Sequence, residues 1–91
     1  MTFVWDETKA AENLAKHGVS FAYATRVFDD PYRIEREDRS LDYGEPRYQT
    51  IGAVEGRILF VAFTYRGEVI RIISARRATR YERRQYHTMD A

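Results

Sequence analysis

The 91-residue chain is long enough for one domain with a single modest core, and its formal net charge is only +1. A hydrophobic content of 44% with 14% aromatic residues excludes a disordered chain. The sequence has no cysteine, which excludes disulfides and thiolate metal sites, and no apolar run longer than residues 58–63, which argues against secretion and membrane insertion. We therefore expect one cytoplasmic domain that spans residues 1–91 and does not contact membranes.

Charge is unevenly distributed along the chain. Seven arginines and two acids lie between Arg66 and Arg84, whereas seven acids and three arginines lie between Asp29 and Glu45. Thirteen of the fifteen basic residues are arginine, whose planar guanidinium favours bidentate recognition of phosphate or carboxylate, although a GC-rich genome produces the same bias. The two blocks indicate either a charged partner or one patch that folds against the other.

The first part of the chain predicts two helices. Asp6 is placed to cap a helix that runs to about His17, with Leu14 on its apolar side, and Gly18 is placed to end it in a left-handed turn. Ser20 is placed to cap a second, short helix. The apolar residues of that helix recur at helical spacing and are Phe21, Ala24, Val27 and Phe28.

The spacing of apolar residues changes after residue 31, where strands are predicted. A weak strand is expected at 32–36, followed by a charged and mobile loop at 36–45. Three stronger strands are predicted at 47–54, 57–65 and 68–75. Gly56 and Gly67 lie in the two short connections and supply the positive φ that tight hairpin turns need, which indicates an antiparallel meander.

A last helix is predicted to begin at Thr79, which fits a capping box with Glu82. The element order is then ααββββα, an α+β fold with two N-terminal helices, a four-stranded antiparallel sheet and a C-terminal helix. The strand segments 58–63 and 69–73 are apolar on both faces. The three short helices must therefore divide between the two faces, or another chain must cover one of them.

Two motifs are specific in combination, namely Lys16-His17-Gly18-Val19-Ser20-Phe21 and Ile72-Ile73-Ser74-Ala75-Arg76-Arg77-Ala78. The residues that accompany them are Trp5, Asp6, Lys9, Asn13, Ala24, residues 27–31, Glu45, Arg47, Gly52, Thr79, Glu82 and Tyr86. With these residues the chain resembles the BrnT family of toxins from about Phe3 to Tyr86.

The resemblance implies a fold, an activity and a partner. Members of the BrnT family resemble RelE-like ribonucleases in fold and act as the toxin of a type II toxin–antitoxin system, so we expect a ribonuclease that cleaves RNA and inhibits translation. The resemblance also implies neutralisation by a BrnA-like antitoxin of the ribbon-helix-helix type, allows a heterotetramer with it, and leaves contact with DNA to the antitoxin complex. No cofactor is expected, and two histidines without HxxxH-like spacing do not indicate a metal site.

Metal-independent cleavage of RNA needs a base for the 2′-hydroxyl, cations for the phosphate and an acid for the leaving oxygen. Together with the resemblance, this chemistry gives the candidate catalytic residues Lys16, His17, Glu45, Arg66, Arg76 and Tyr86. The candidate RNA-binding residues are Arg47, Arg71, Arg77 and Arg80. The identity of the general base stays open among these residues.

Each candidate also has a purely structural interpretation. The arginines can form ion pairs with Glu45, Glu68 or Glu82, and Lys16 with His17 can offset the carbonyl end of a helix dipole. Tyr86 can be an aromatic residue of the core. For the whole protein, the alternatives are a non-catalytic basic module that binds an acidic protein or nucleic acid, and an interaction domain whose second sheet face forms an oligomer.

Overall fold

The computed structural model describes residues 1–39 and 44–89 of the chain. In chain order its elements are β1 (Thr2–Val4), α1 (Glu7–His17), α2 (Phe21–Ala24), a 3₁₀ helix (Thr25–Asp29), β2 (Ile34–Asp38), β3 (Arg47–Val54), β4 (Arg57–Arg66), β5 (Val69–Arg77) and α3 (Arg80–Met89). The strands form one sheet in the order β1-β5-β4-β3-β2, with β1 parallel to β5 and the other neighbours antiparallel. In the described part of the chain, every helix is too short or too polar to span a membrane.

The first strand corrects the predicted fold class. The chain is α+β, but the predicted order ααββββα and the four-stranded antiparallel sheet are wrong, because a fifth strand precedes α1 and pairs in parallel with β5. This strand has three residues, and its first residue, Thr2, lies opposite Val69. So short a segment shows no alternation of its own, and its partner is far away in the sequence.

The strand at the opposite edge is displaced from its prediction. It covers Ile34–Asp38, whereas the sequence predicted a strand at 32–36 and a loop from residue 36 onward. The charged residues at 36–38 therefore belong to an edge strand, where charged side chains discourage pairing with other chains. Residues 40–43 of the predicted loop lie outside the described residues. The three predicted central strands and both hairpins are confirmed, and Gly56 and Gly67 have φ values of 80° and 62°.

The predicted ends of the first helices are confirmed by hydrogen bonds. The Asp6 carboxylate accepts from the backbone N–H of Lys9 at 3.1 Å, and the Gly18 N–H donates to the carbonyl of Leu14 at 2.9 Å. The Ser20 hydroxyl accepts a backbone N–H of α2 at 3.0 Å. This second helix makes only one turn before the chain continues as a 3₁₀ helix.

The helices divide between the two faces of the sheet. The first face, here called the α1 face, is covered by α1, α2 and the 3₁₀ helix over a core of Val19, Phe21, Ala24, Val27, Phe28, Val54, Leu59, Val61, Phe63, Ile70, Ile72 and Ala75. The second, here called the α3 face, has a smaller core of Ile51, Ile58, Phe60, Ala78 and Tyr86. α3 thus packs at one end of its face. Arg66 lies six residues beyond Phe60 on β4, about 20 Å away along the strand.

Close packing of the 3₁₀ helix on β3 depends on Gly52. A Cβ at this position would lie 2.7 Å from Cγ2 of Val27 and 3.0 Å from Cβ of Arg33. Any larger residue would therefore push the 3₁₀ helix away from the sheet.

The side of α1 that meets the sheet differs from its prediction. Leu14 is 50% exposed, whereas Asn13 is buried at 8% exposure. The Asn13 amide donates to the carbonyls of Val19 at 3.0 Å and Ala75 at 2.8 Å, and its oxygen accepts from the Ala75 N–H at 3.1 Å. One polar side chain thus fixes the end of α1 on β5, because unpaired buried groups would be costly.

Candidate functional site

A bulge in β5 decides which arginines share a face of the sheet. Ala62 of β4 lies opposite Ser74, but the next residue, Phe63, lies opposite Ile72. Ile73 is therefore the extra residue of the bulge, and it reverses the alternation of side chains along the strand.

The reversal separates the three arginines of β5. Arg71 lies opposite Thr64, and Arg77 lies opposite Leu59, a core residue of the α1 face. Because residues 59 and 64 of β4 are an odd number apart, Arg71 and Arg77 point to opposite faces. Arg76 is opposite Phe60, so it shares the α3 face with Arg71.

Four of the predicted site residues line one cavity at the open end of the α3 face, about 140 Å³ in volume. The cavity, here called the Glu45 cavity, is lined by Glu45, Arg47, Arg66 and Arg71 together with Asp6, Lys9, Ile72 and Ile73. It therefore joins four cationic side chains to two carboxylates. Lys9 was not among the predicted site residues, although it belongs to the residues that carry the family resemblance.

The interactions of its two carboxylates determine which of them is available to a ligand in the cavity. A backbone hydrogen bond from Lys9 lowers the pKa of Asp6, and the charges of Lys9 and Arg71 act in the same direction, so Asp6 is held as the helix cap. Glu45 instead faces Arg66, whose Nη2 lies 3.4 Å from Oε1, and the two side chains are 36% and 54% exposed. A solvent-accessible pair at this distance contributes little to stability, so a phosphate can readily replace Glu45 as the partner of Arg66.

Arg76 lies on the same face but is held by α3. Its Nη1 and Nη2 donate to the two carboxylate oxygens of Glu82 at 2.8 and 3.0 Å, and its guanidinium lies 4.1 Å from the ring centre of Phe60. Glu82 also completes the predicted capping box, since it accepts from the Thr79 N–H at 2.8 Å while its own N–H donates to the Thr79 hydroxyl. These contacts match the structural interpretation of Arg76.

Tyr86 is likewise engaged in packing. Its hydroxyl donates to Oδ2 of Asp30 at 2.6 Å, and the same carboxylate accepts from the N–H groups of Ala53 and Tyr32. Burial alone would raise the pKa of Asp30, but these three hydrogen bonds outweigh it and lower the pKa. Tyr86 thus connects α3 to the segment after the 3₁₀ helix, a contact that sequence spacing does not reveal.

The remaining predicted residues lie elsewhere. His17 and Arg77 line a second cavity, of about 290 Å³, on the α1 face together with Arg57, and Lys16 is exposed at the end of α1. Arg71 and Arg77 pair with Thr64 and Leu59, five residues apart on β4, so they lie about 17 Å apart along the strand and on opposite faces. Lys16, His17 and Arg77 therefore cannot act on the same phosphate as Glu45.

Arg80 lies on the outer side of α3, where it lines a third depression. Within residues 1–39 and 44–89, no three His, Cys, Asp or Glu side chains come together in a group that could hold a metal ion.

The family model of BrnT, the ribonuclease toxin of a type II toxin–antitoxin system, matches residues 5–82 of the chain. The chain belongs to the BrnT family. No curated protein matches it. This confirms the resemblance carried by the two sequence motifs. A BrnT protein is the ribonuclease toxin of a type II toxin–antitoxin system, which also includes an antitoxin.

The BrnT match covers most of the residues discussed above. It includes both cavities and the Arg76 ion pair, but it ends at residue 82, before Tyr86. Of the residues singled out for RNA cleavage, the BrnT chain thus places one carboxylate and three arginines together in the Glu45 cavity.

Proposed function

We propose that this BrnT protein is a metal-independent endoribonuclease whose catalytic site is the Glu45 cavity. One observation carries the proposal: the half-buried carboxylate of Glu45 shares a cavity with Lys9, Arg47, Arg66 and Arg71. A carboxylate can act as a general base, and neighbouring guanidinium groups can stabilise the charge that develops on a phosphate.

In the proposed reaction, Glu45 accepts the proton of a ribose 2′-hydroxyl. The 2′-oxygen forms a bond to the adjacent phosphorus, and the bond from phosphorus to the 5′-oxygen breaks. The leaving 5′-oxygen takes up a proton from water, and Glu45 returns its proton to the solvent. Arg66 exchanges its 3.4 Å contact with Glu45 for a phosphate oxygen, and Arg71 binds a second oxygen. The products are a 2′,3′-cyclic phosphate and a 5′-hydroxyl.

The centre of the α3 face offers a path for the RNA. Ala62 and Ser74 lie opposite each other between the Glu45 cavity and α3, and both are half-buried. Because these two side chains are small, they do not extend far above the sheet between the cavity and the helix. A single strand that enters the cavity can therefore continue across the face toward α3.

The same charges provide a basis for inhibition. We propose that a BrnA-like antitoxin of the ribbon-helix-helix type neutralises the toxin by covering the Glu45 cavity, which supplies four cations for acidic residues of the antitoxin. Cleavage of messenger RNA in the cytoplasm would then inhibit translation when the antitoxin is lost.

Cleavage of a mixed-sequence RNA in excess EDTA tests the proposal, with the new ends mapped chemically. The key variant is Glu45→Gln, and its matched control is Glu55→Gln, the same change at an exposed glutamate that pairs with Arg26. We expect 5′-hydroxyl and cyclic-phosphate ends, a fall in kcat of about 10²–10⁴ for Glu45→Gln, and no change for Glu55→Gln.

Binding of RNA, measured alongside, separates the enzyme from a binding module. An enzyme loses turnover in Glu45→Gln but keeps its affinity for RNA within a few-fold. Retention of RNA without cleavage by the parent protein would favour a non-catalytic basic module. Cleavage that stops in EDTA, or that survives in Glu45→Gln, would refute the proposed mechanism.

A further inference from the structure

The outer side of α3 presents an unusual concentration of positive charge. Its members, here called the α3 stripe, are Arg80, Arg83, Arg84 and His87, which follow one another at the i, i+3, i+4, i+7 spacing of a single helix face. All four are exposed and line a shallow depression of about 450 Å³. The stripe lies outside the Glu45 cavity and plays no part in the chemistry proposed there.

No acid of the helix neutralises the stripe. Glu82 is the one acidic residue among the described residues of α3, and its carboxylate turns inward to Arg76 and the Thr79 N–H. Within residues 1–39 and 44–89, the guanidinium groups of Arg80, Arg83 and Arg84 form no ion pair, although Arg83 donates to a backbone carbonyl. The stripe thus keeps three full positive charges without counting His87.

This arrangement is unfavourable for the helix itself. Arg80 and Arg83 lie in the first turn of α3, at the positive end of the helix dipole, where cations are disfavoured. Like charges at i, i+3 and i, i+4 repel one another as well, as Arg80 does with Arg83 and Arg84. Surface charges chosen for helix stability or solubility would have the opposite sign in this turn, so the stripe is better explained by a ligand.

We propose that the α3 stripe binds the phosphate backbone of RNA, as a second contact separate from the Glu45 cavity. The inference rests on the proposed function in that it takes RNA to be the substrate. It extends that function because the stripe would hold a part of the RNA distant from the cleaved bond.

The lining of the depression favours a nucleic acid over a protein partner. Among the described residues, its lining consists of Arg80, Arg83, Arg84, His87 and Thr88, none of which is an apolar residue. A protein segment gains much of its affinity from apolar and aromatic anchors in the centre of an interface. A phosphate backbone needs only cations, since its binding is driven by the release of counterions.

The test measures binding to a mixed-sequence RNA oligonucleotide whose 2′-hydroxyls are all methylated. Such a probe lacks the attacking hydroxyl, so its binding does not depend on cleavage. The variant is Arg80→Gln/Arg84→Gln, and the matched control is Arg26→Gln/Arg39→Gln, which removes two exposed charges that are paired with Glu55 and Glu37. Fluorescence anisotropy gives Kd across a series of salt concentrations, and thermal unfolding gives Tm.

Two lost phosphate contacts should reduce the slope of log Kd against log salt by about 1.4, because each contact to a single strand contributes about 0.7. Between about 50 and 200 mM salt, the affinity of the parent protein should fall about sevenfold more than that of the variant. The Tm of the variant should rise by a few degrees, since the substitutions relieve repulsion within α3. The control variant should show neither the smaller slope nor the higher Tm.

An unchanged slope in the stripe variant, or an equal change in the control, would overturn the inference. Loss of affinity for an antitoxin with an unchanged slope for RNA would also overturn it, in favour of an acidic protein partner. These results are distinguishable from failure of the proposed function, because a chain without ribonuclease activity would still show the difference in slope. Conversely, a catalytic site confirmed by Glu45→Gln would stand without the stripe.

Discussion

The substitution Arg76→Ala distinguishes a structural from a catalytic role for Arg76, which belongs to the sequence motif at residues 72–78. Arg76 extends from β5 to Glu82 on α3, with its two terminal nitrogens bound to the two carboxylate oxygens at 2.8 and 3.0 Å. Truncation would leave the Glu82 side chain, which is only 11% exposed, without its counter-ion. We expect the substitution to destabilise the fold rather than to remove a reacting group.

The size of the effect follows from the burial of the pair. Removing one partner of a fully buried ion pair costs about 3–5 kcal/mol, whereas exposed pairs contribute about 0.2–1 kcal/mol. The Arg76 side chain is 33% exposed, so water screens part of the interaction. With the contact to Phe60 included, we expect a loss of about 2–3 kcal/mol, which lowers the Tm of a domain of this size by about 10–20 °C.

The loss of stability in Arg76→Ala should depend on pH. Burial alone would raise the pKa of Glu82, but the hydrogen bonds from Arg76 and Thr79 and the charge of Arg76 outweigh it and lower the pKa below its ordinary 4.5. A group whose pKa is lowered in the folded state stabilises that state above the unfolded pKa and loses this contribution as the pH falls through the folded value. The difference between parent and variant should therefore shrink below about pH 4.5.

Urea unfolding followed by circular dichroism at pH 7 and at about pH 3 measures both effects. Arg77→Ala is the matched control, because Arg77 is the exposed neighbour on the opposite face, and its loss should cost less than about 0.5 kcal/mol. An Arg76→Ala variant as stable as the parent at pH 7 would refute the reasoning. Loss of RNA cleavage in such a stable variant would then indicate direct contact of Arg76 with the substrate.

Two further substitutions test contacts between distant parts of the chain. Tyr86→Phe removes the 2.6 Å hydrogen bond to Asp30 and should lower the free energy of unfolding by about 1.5–3 kcal/mol in urea while the kcat of folded protein stays unchanged; a fall in kcat at unchanged stability would instead support a catalytic hydroxyl. Asn13→Ala leaves buried groups of Val19 and Ala75 unpaired and should cost about 2–4 kcal/mol. Hydrogen exchange at the Ala75 amide should accelerate, and continued full protection would contradict the role assigned to Asn13.

Sequence reasoning succeeded where a signal and its effect lie within a few residues of each other. Asp6, Ser20 and the pair Thr79 and Glu82 were identified as caps because their hydrogen bonds span three residues. It failed for contacts across the chain. Ala75, which Asn13 binds, and Asp30, which Tyr86 binds, lie 62 and 56 residues away, and nothing in the local pattern distinguishes a buried asparagine that fixes two elements from an exposed one.

The candidate site was predicted in composition but not in arrangement. Simple alternation along β5 places Arg71 and Arg77 on one face and Arg76 on the other. The bulge at Ile73 reverses this order and brings Arg71 to the face of Arg76. In a run of apolar residues such as Ile72 and Ile73, the sequence does not show which residue is the extra one of a bulge. The register of β4 and β5 shows that the predicted residues lie on separate surfaces.

The arginine-rich segment affects the stability of α3 in two opposite ways. The Arg76–Glu82 ion pair and the capping box stabilise the first turn of α3, while Arg80 and Arg83 add like charge to the same turn. A cap typically contributes about 1 kcal/mol and the partly buried ion pair somewhat more, which exceeds the cost of two exposed cations at about 0.3–1 kcal/mol each. Because the one acid among its described residues, Glu82, turns inward, the helix remains folded while its outer face stays positively charged, as the proposed binding of RNA requires.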